Sequence, residues 1–140
     1  MKRLMKNGIK GLLALACMLA LSACMTPKPT RENLDTTLSD YQKLIRWEQS
    51  ASSVLFVPEN LKQEYTDKLS GYDKVRIVEF NLKKVDMAQD QKSAKVSVEY
   101  VYHQATGISI KVLRDVQSWV FSAETQPTGW QLTSMPPSFP

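Results

Sequence analysis

The chain alternates most regularly between apolar and polar residues at Ala94-Lys95-Val96-Ser97-Val98-Glu99-Tyr100-Val101-Tyr102-His103. Every second residue from Ala94 to Tyr102 is apolar or aromatic. Successive side chains of a strand point to opposite faces of a sheet, so this period of two predicts a β-strand with one buried face. Burial on one face only is typical of an antiparallel sheet.

The segments on either side continue the sheet. Residues 75–87 alternate in the same way, and the polar residues 87–93 predict a hairpin turn between the two strands. A second turn is expected at 104–107, and Ile108, Ile110 and Val112 then share one face of a third strand. Trp119 and Phe121 have the opposite parity, so we expect a β-bulge between residues 113 and 116.

The C-terminal residues predict one more strand and a tail. Residues 126–129 are typical of a turn, and residues 130–132 form a short last strand. The proline-rich residues 135–140 cannot extend the interior of a sheet. We expect them to form a tail in which Phe139 is available to dock on the domain.

Two helices are predicted before the sheet. Over residues 33–53, apolar side chains recur at spacings of three and four, and Thr30 or Asn33 can cap the helix start. Residues 54–57 are expected to be a buried connector, and Pro58 suits the first turn of a second helix over 59–69. Helices followed by antiparallel strands define an α+β fold, with the N-terminal helices packed on a bent four-stranded antiparallel sheet.

The order of these elements resembles the nuclear-transport-factor-2-like, or cystatin-like, cone over about residues 33–134. The resemblance is carried by Ser118-Trp119-Val120-Phe121 and Gly129-Trp130-Gln131-Leu132, which are similar to the last hairpin of that fold. It implies a long helix wrapped by a bent sheet. The alternative is a two-layer sandwich with a flatter sheet.

The N-terminus has the parts of an export signal. Lys2, Arg3, Lys6 and Lys10 precede an uncharged apolar run at 11–21, about half the roughly 20 residues of a membrane-spanning helix. Leu21-Ser22-Ala23-Cys24 resembles the lipobox of bacterial lipoproteins at all four positions. The alternative is an ordinary signal peptide cut near Ala23, with an incidental cysteine.

The lipobox resemblance implies cleavage before Cys24, a thioether-linked diacylglycerol on its sulfur and an N-acyl chain on the new amino group. It divides the chain into a signal peptide (1–23), a lipidated cysteine with its tether (24–32) and one α+β domain (33–140). We expect no cofactor besides this covalent lipid. Because Met25, not aspartate, follows Cys24, similarity to enterobacterial sorting favours the outer membrane, with the domain facing the periplasm.

Removal of residues 1–23 changes the charge of the protein. Four of the 18 Lys and Arg lie in the signal, so 14 remain against 14 Asp and Glu, and the mature chain is formally neutral. No basic tract indicates nucleic-acid binding. Cys24 is the only cysteine that remains, so we expect no disulfide within the domain and no zinc site of clustered Cys and His.

Few residues are candidates for a chemical site. Some enzymes of the cone fold use an Asp base and a Tyr donor between helix and sheet, and the residues that could supply such groups here are Tyr41, Tyr100, Tyr102, Arg114 and Asp115. Core packing is the alternative for the tyrosines. If Arg114 shares the face of Ile110 and Val112, we expect it to be buried and to need a partner.

Two further candidates complete the set. His103 could act as a pH switch or general base, although a solvent-facing position at a strand end is the alternative. Tyr65, Trp47 and Trp130 could form an exposed aromatic patch for a partner, although core packing is the commoner explanation for such residues.

The sequence therefore predicts a membrane-anchored bacterial envelope lipoprotein. Its partners would be the lipid bilayer, through Cys24, and another envelope component that the small domain binds or scaffolds. One alternative is a small-molecule-binding or isomerase-like enzyme with a pocket between helix and sheet. Another is a cystatin-like inhibitor of an envelope hydrolase.

Overall fold

The structure is a computed structural model that describes residues 27–140, so the predicted signal, the lipobox and Cys24 lie outside the described residues. Two α-helices precede four strands, with three short 3₁₀ segments at Ser50–Phe56, Glu59–Leu61 and Tyr72–Lys74. The longer elements are α1 (Arg31–Arg46), α2 (Lys62–Lys68), β1 (Val75–Met87), β2 (Ser93–Gln104), β3 (Lys111–Ser122) and β4 (Gly129–Leu132).

The strands form one antiparallel sheet in the order β1-β2-β3-β4. The predicted α+β class is confirmed, with the helices on one face of the sheet. Val96, Val98 and Tyr100 of β2 point to this inner face and are buried, as the alternation predicts. They pack with Leu34, Leu38, Tyr41 and Ile45 of α1 and with Trp119 of β3 to form the core.

Helix α1 begins where a side chain replaces its missing hydrogen bonds. The Thr30 hydroxyl accepts a hydrogen bond from the Asn33 backbone N–H at 3.2 Å, so Thr30 is the N-cap. The predicted extension to residue 53 is wrong, because α1 ends at Arg46. Ser53 donates through its side chain to the Ser50 carbonyl at 2.5 Å, and serines that bond nearby backbone in this way compete with helix.

The bulge predicted in β3 is also wrong. The β2–β3 register runs without a shift from Ser93↔Val120 to Tyr102↔Lys111, and the irregularities lie in β1, between Ile77 and Glu79 and between Leu82 and Lys84. The change of parity has another cause: β3 exposes Val112, Val116 and Val120 on its outer face and turns polar residues inward. Ile108 and Ile110 precede the strand and are exposed.

The C-terminal tail docks through Phe139. Its ring makes T-shaped contacts with Tyr72, Tyr100 and Tyr102, with centroids 5.4, 5.6 and 4.9 Å away. The Tyr72 hydroxyl donates to the Pro137 carbonyl, and Gln104 Nε2 donates to the Pro140 carbonyl at 2.8 Å. The tail thus closes the end of the space between the helices and the inner sheet face.

Candidate functional site

A buried polar network lies on the inner face, where the sequence predicts a pocket. Gln42 Nε2 of α1 donates to Gln117 Oε1 of β3 at 3.0 Å, and Gln117 Nε2 donates to the Tyr100 hydroxyl oxygen at 3.0 Å. Tyr100 donates in turn to Gln42 Oε1, and Trp119 Nε1 donates to Gln117 Oε1 at 3.3 Å. Both glutamines are fully buried. Each amide is therefore satisfied by groups of the fold itself.

Asp115 lies at the edge of this network. Its carboxylate accepts a hydrogen bond from Gln117 Nε2 at 3.3 Å, and this amide links Asp115 to Tyr100. Desolvation by burial raises the pKa of Asp115 above its ordinary value, against the opposing effect of the Gln117 hydrogen bond. Burial, together with the nearby Asp115 charge, raises the pKa of the Tyr100 hydroxyl well above 10.0, so this hydroxyl stays protonated and acts as a donor.

A second hydroxyl cluster surrounds Tyr65. Its hydroxyl lies 2.9 Å from that of Tyr41 and 2.7 Å from Ser53 Oγ. Burial raises the pKa of both tyrosines. The cluster ties α1 to α2 and to the 3₁₀ segment between them, which is a structural role that the sequence pattern does not reveal.

The predicted pocket residues are brought together only in part. Tyr41, Tyr100 and Tyr102 are buried, and Asp115 joins Tyr100 through Gln117. Aromatic rings occupy the space around the tyrosines: Trp119 and Phe56 lie 5.4 and 5.8 Å from Tyr41, and Phe139 covers Tyr100 and Tyr102. An isomerase-like site needs an open space on which acid and hydroxyl converge, and these rings fill it.

Arg114 is not part of this cluster. It does share a face with Val112, but that face is the outer one, so the expected burial is wrong. Its Nε lies 3.3 Å from the carboxylate of Glu99, which also accepts from Lys83 Nζ at 3.3 Å. The hydrogen bond from Lys83, with a further one from Arg114, lowers the pKa of Glu99.

The other two candidates also have structural positions. His103 is half-buried at the end of β2, where its Nδ1 lies 2.8 Å from the Gln104 carbonyl and 3.0 Å from that of Gly107. The predicted aromatic patch does not exist, because Tyr65 and Trp130 are buried. Trp47 alone is exposed, at 64%, with the Arg46 guanidinium 4.9 Å from its ring centre.

The outer face of the sheet carries a surface that the sequence pattern hides. Val112, Val116 and Val120, here called the outer valine face, are 58%, 59% and 40% exposed on β3. Ile108 and Ile110 extend this apolar row into the preceding loop. These exposed valines alternate with Arg114 and Ser118 on the same face, and such a mixture of apolar and polar side chains suits contact with another protein.

An apolar groove of about 540 Å³ lies between α1 and the β3–β4 hairpin. Its apolar walls are formed by Pro27, Leu44, Leu55, Phe56, Phe121 and Trp130. Lys28, Asn33, Thr36, Thr37 and Thr128 supply polar groups to its lining. The volume lies in the range of small-molecule pockets, roughly 300–1,000 Å³.

Two further features are absent from the described part of the chain. Residues 27–140 contain no group of three or more His, Cys, Asp or Glu that could hold a metal ion. None of the helices within that range is long and apolar enough to cross a membrane.

No protein-family model matches this chain, and no curated protein matches it. Among solved structures, the chain is similar to the crystal structure of the intermembrane space region of chloroplast protein ARC6, with a TM-score of 0.47 and 12% identity. The similarity covers 77% of this chain and 95% of that chain. A likeness at this level carries no argument about function, so the proposals below rest on this chain's own residues.

Proposed function

We propose that this protein is a bacterial envelope lipoprotein, anchored by a diacylglycerol and an N-acyl chain on Cys24, whose domain binds another envelope protein. We place it at the outer membrane, facing the periplasm. The observation that carries the binding role is the outer valine face, because three valines point away from the core on a strand whose inward residues include Asp115 and Gln117.

The surroundings of the outer valine face support a protein partner. Val112 pairs with Val101 of β2, and Arg114 and Glu99 pair between Val112 and Val116. A partner would therefore meet apolar side chains with the charged cluster of Glu99, Lys83 and Arg114 among them. Charged groups within such a surface give specificity for a partner of complementary charge.

The anchor is tested by fractionation. The mature chain with Cys24→Ser, exported behind an ordinary cleavable signal, should appear in the soluble periplasmic fraction, whereas the native protein should sediment with membranes. One acyl chain gives marginal binding and several give lasting binding, so the difference should be nearly complete. Mass spectrometry should find the lipid on Cys24, and a soluble native protein would contradict the proposal.

The binding surface is tested by crosslinking in cells. A photoreactive amino acid at Val116 should give an adduct with one envelope protein, and Val112→Lys should reduce that adduct. Trp47 is the matched control, since it is also a large apolar residue, is 64% exposed and lies at the C-terminal end of α1. The same adduct from both positions, or none from Val116, would contradict a role for the outer valine face.

A further inference from the structure

The groove between α1 and the β3–β4 hairpin lies beside the start of the described chain. Pro27 lines it, and a Cβ placed on Gly129 at the opposite wall would be 4.0 Å from the Pro27 Cβ. Pro27 follows Cys24 by three residues, which span at most about 10 Å when extended. Whatever is attached to the Cys24 sulfur or amino group therefore starts within reach of the groove.

The lining of the groove suits an acyl chain. Its walls are aliphatic and aromatic side chains from α1, the 3₁₀ segment Ser50–Phe56, β3 and β4. Leu55 is 66% exposed there, so an apolar ligand in the groove would remove further apolar surface from water. A peptide would bring backbone N–H and C=O groups into this apolar lining, whereas the methylene part of an acyl chain brings none.

One wall residue also lacks a partner. Trp130 is 4% exposed, and its indole Nε1 has no hydrogen-bond acceptor among the described residues. A buried donor without an acceptor is costly, so the packing of this wall by the described residues leaves one polar group unsatisfied.

We propose that this groove holds one acyl chain of the protein's own lipid whenever the protein is outside a bilayer, with the chain lying against the Trp130 ring. The inference rests on the proposed lipidation of Cys24. A tether of three residues gives an effective concentration in the millimolar range, so modest affinity is enough. The groove leaves the chain partly wet, whereas a bilayer buries all of it at about 0.8 kcal/mol per CH₂, so the chain moves to the bilayer when one is present.

The groove is tested without the native lipid. The mature Cys24→Ser chain is titrated with palmitate below its micelle concentration and followed by equilibrium dialysis. We expect one palmitate per chain, and a shift of the Trp130 indole ¹H–¹⁵N resonance, which Trp130→Phe identifies. Thr36 is exposed and lines the groove, so the bulky ring of Thr36→Trp should obstruct the groove and weaken palmitate binding about tenfold or more.

Asp35→Trp is the matched control. Asp35 is the exposed neighbour of Thr36 on α1 but does not line the groove, so binding should be unchanged. Absence of palmitate binding by the Cys24→Ser chain would overturn the proposal. Equal weakening by Thr36→Trp and Asp35→Trp, or by neither, would do so as well.

The native lipidated chain decides whether its own lipid is the occupant. Diluted from detergent without bilayer, it should show the Trp130 resonance already shifted and should take up no added palmitate. Uptake equal to that of Cys24→Ser would overturn the proposal while leaving the anchor intact. A Cys24 found without lipid by mass spectrometry would overturn both proposals. Failure of the anchor and failure of the groove can be told apart, because the palmitate titration uses the unlipidated chain.

Discussion

Asp115 is the one acidic side chain that β3 turns toward the inner face of the sheet, next to Gln117. Burial raises its pKa above 3.8, so the folded state holds the proton more tightly than the unfolded state does. The free energy of unfolding should therefore fall as pH rises from about 3.8 through the raised pKa. Asp115→Asn should be more stable than the native protein at pH 7 and equal to it near pH 3.

Thermal unfolding of both proteins across this pH range measures the effect. Glu99→Gln is the control with the opposite sign. Lys83 and Arg114 lower the Glu99 pKa in the folded state, so the Glu99 carboxylate stabilises the fold at pH values above its unfolded-state pKa. This stabilisation is lost as the pH falls through the lower folded-state pKa. Glu99→Gln should thus be slightly less stable than the native protein at neutral pH. A difference in stability between Asp115→Asn and the native protein that does not change with pH would contradict the raised pKa of Asp115.

Gln117 should be the most sensitive polar residue of the core. Gln117→Leu removes the partners of Gln42, Tyr100 and Trp119 and should destabilise the fold by about 2–3 kcal/mol in urea unfolding. Gln42→Leu combined with Gln117→Leu should cost less than the sum of the two, since groups that share a bond couple. Gln63→Leu, at an exposed glutamine bonded only to Asp67, should change stability by at most about 0.5 kcal/mol.

These residues also mark what the sequence could not predict about the site. The spacing of Tyr100 on an alternating strand predicts its inward direction, and this is confirmed. The partnership of Gln42 and Gln117 joins residues 75 apart, and glutamine is mostly found at protein surfaces. The one sequence signal for an inward Gln117 is that it shares the parity of Trp119 and Phe121. The valines at the alternate positions favour the opposite face as the buried one, and so they obscure this signal.

At the scale of elements, the tail contributes a measurable part of the fold. Phe139 is half-buried against three tyrosines, so Phe139→Ala should cost about 2–3 kcal/mol, below the roughly 3–5 kcal/mol of a fully buried ring. Ile108→Ala is the control, because Ile108 is 97% exposed and should change nothing. Urea unfolding measures both, and equal costs would show that the tail does not dock in solution.

The elements differ in how far the sequence determines them. The alternation in β1 and β2 is a local signal, and it predicts the strand positions correctly. Thr30, one of the two predicted caps, begins α1 at Arg31, two residues before the predicted start. The end of α1 and the direction of β3 depend on distant partners. Ser53 turns toward Tyr65, Gln117 turns inward because Tyr100 and Gln42 can satisfy it, and Asp115 accepts in turn from Gln117. Such tertiary bonds override the local pattern, and no window of the sequence contains both partners.

The whole molecule has two distinct ends. Lys92 accepts through its carbonyl from the Phe121 N–H at 2.8 Å and Ser122 pairs with Gly129, so the β1–β2 turn and the β3–β4 hairpin lie at the same end as Pro27. The β2–β3 loop, with Ile108 at its tip, lies at the other end of β2, a strand of 12 residues. That separation is about 36 Å at about 3.3 Å per residue.

This polarity predicts how the lipidated protein sits on a membrane. A nitroxide at Thr128, beside the groove, should lie near the bilayer because the tether from Cys24 to Pro27 spans at most about 10 Å. A nitroxide at Ile108 should lie tens of ångströms farther out. Vesicles with paramagnetic lipid headgroups should therefore relax the Thr128 label much more strongly than the Ile108 label. The Cys24→Ser chain should show neither effect. Equal relaxation of the two labels in the lipidated protein would mean that the domain lies flat on the bilayer. The outer valine face would then not be held clear of the bilayer for a partner.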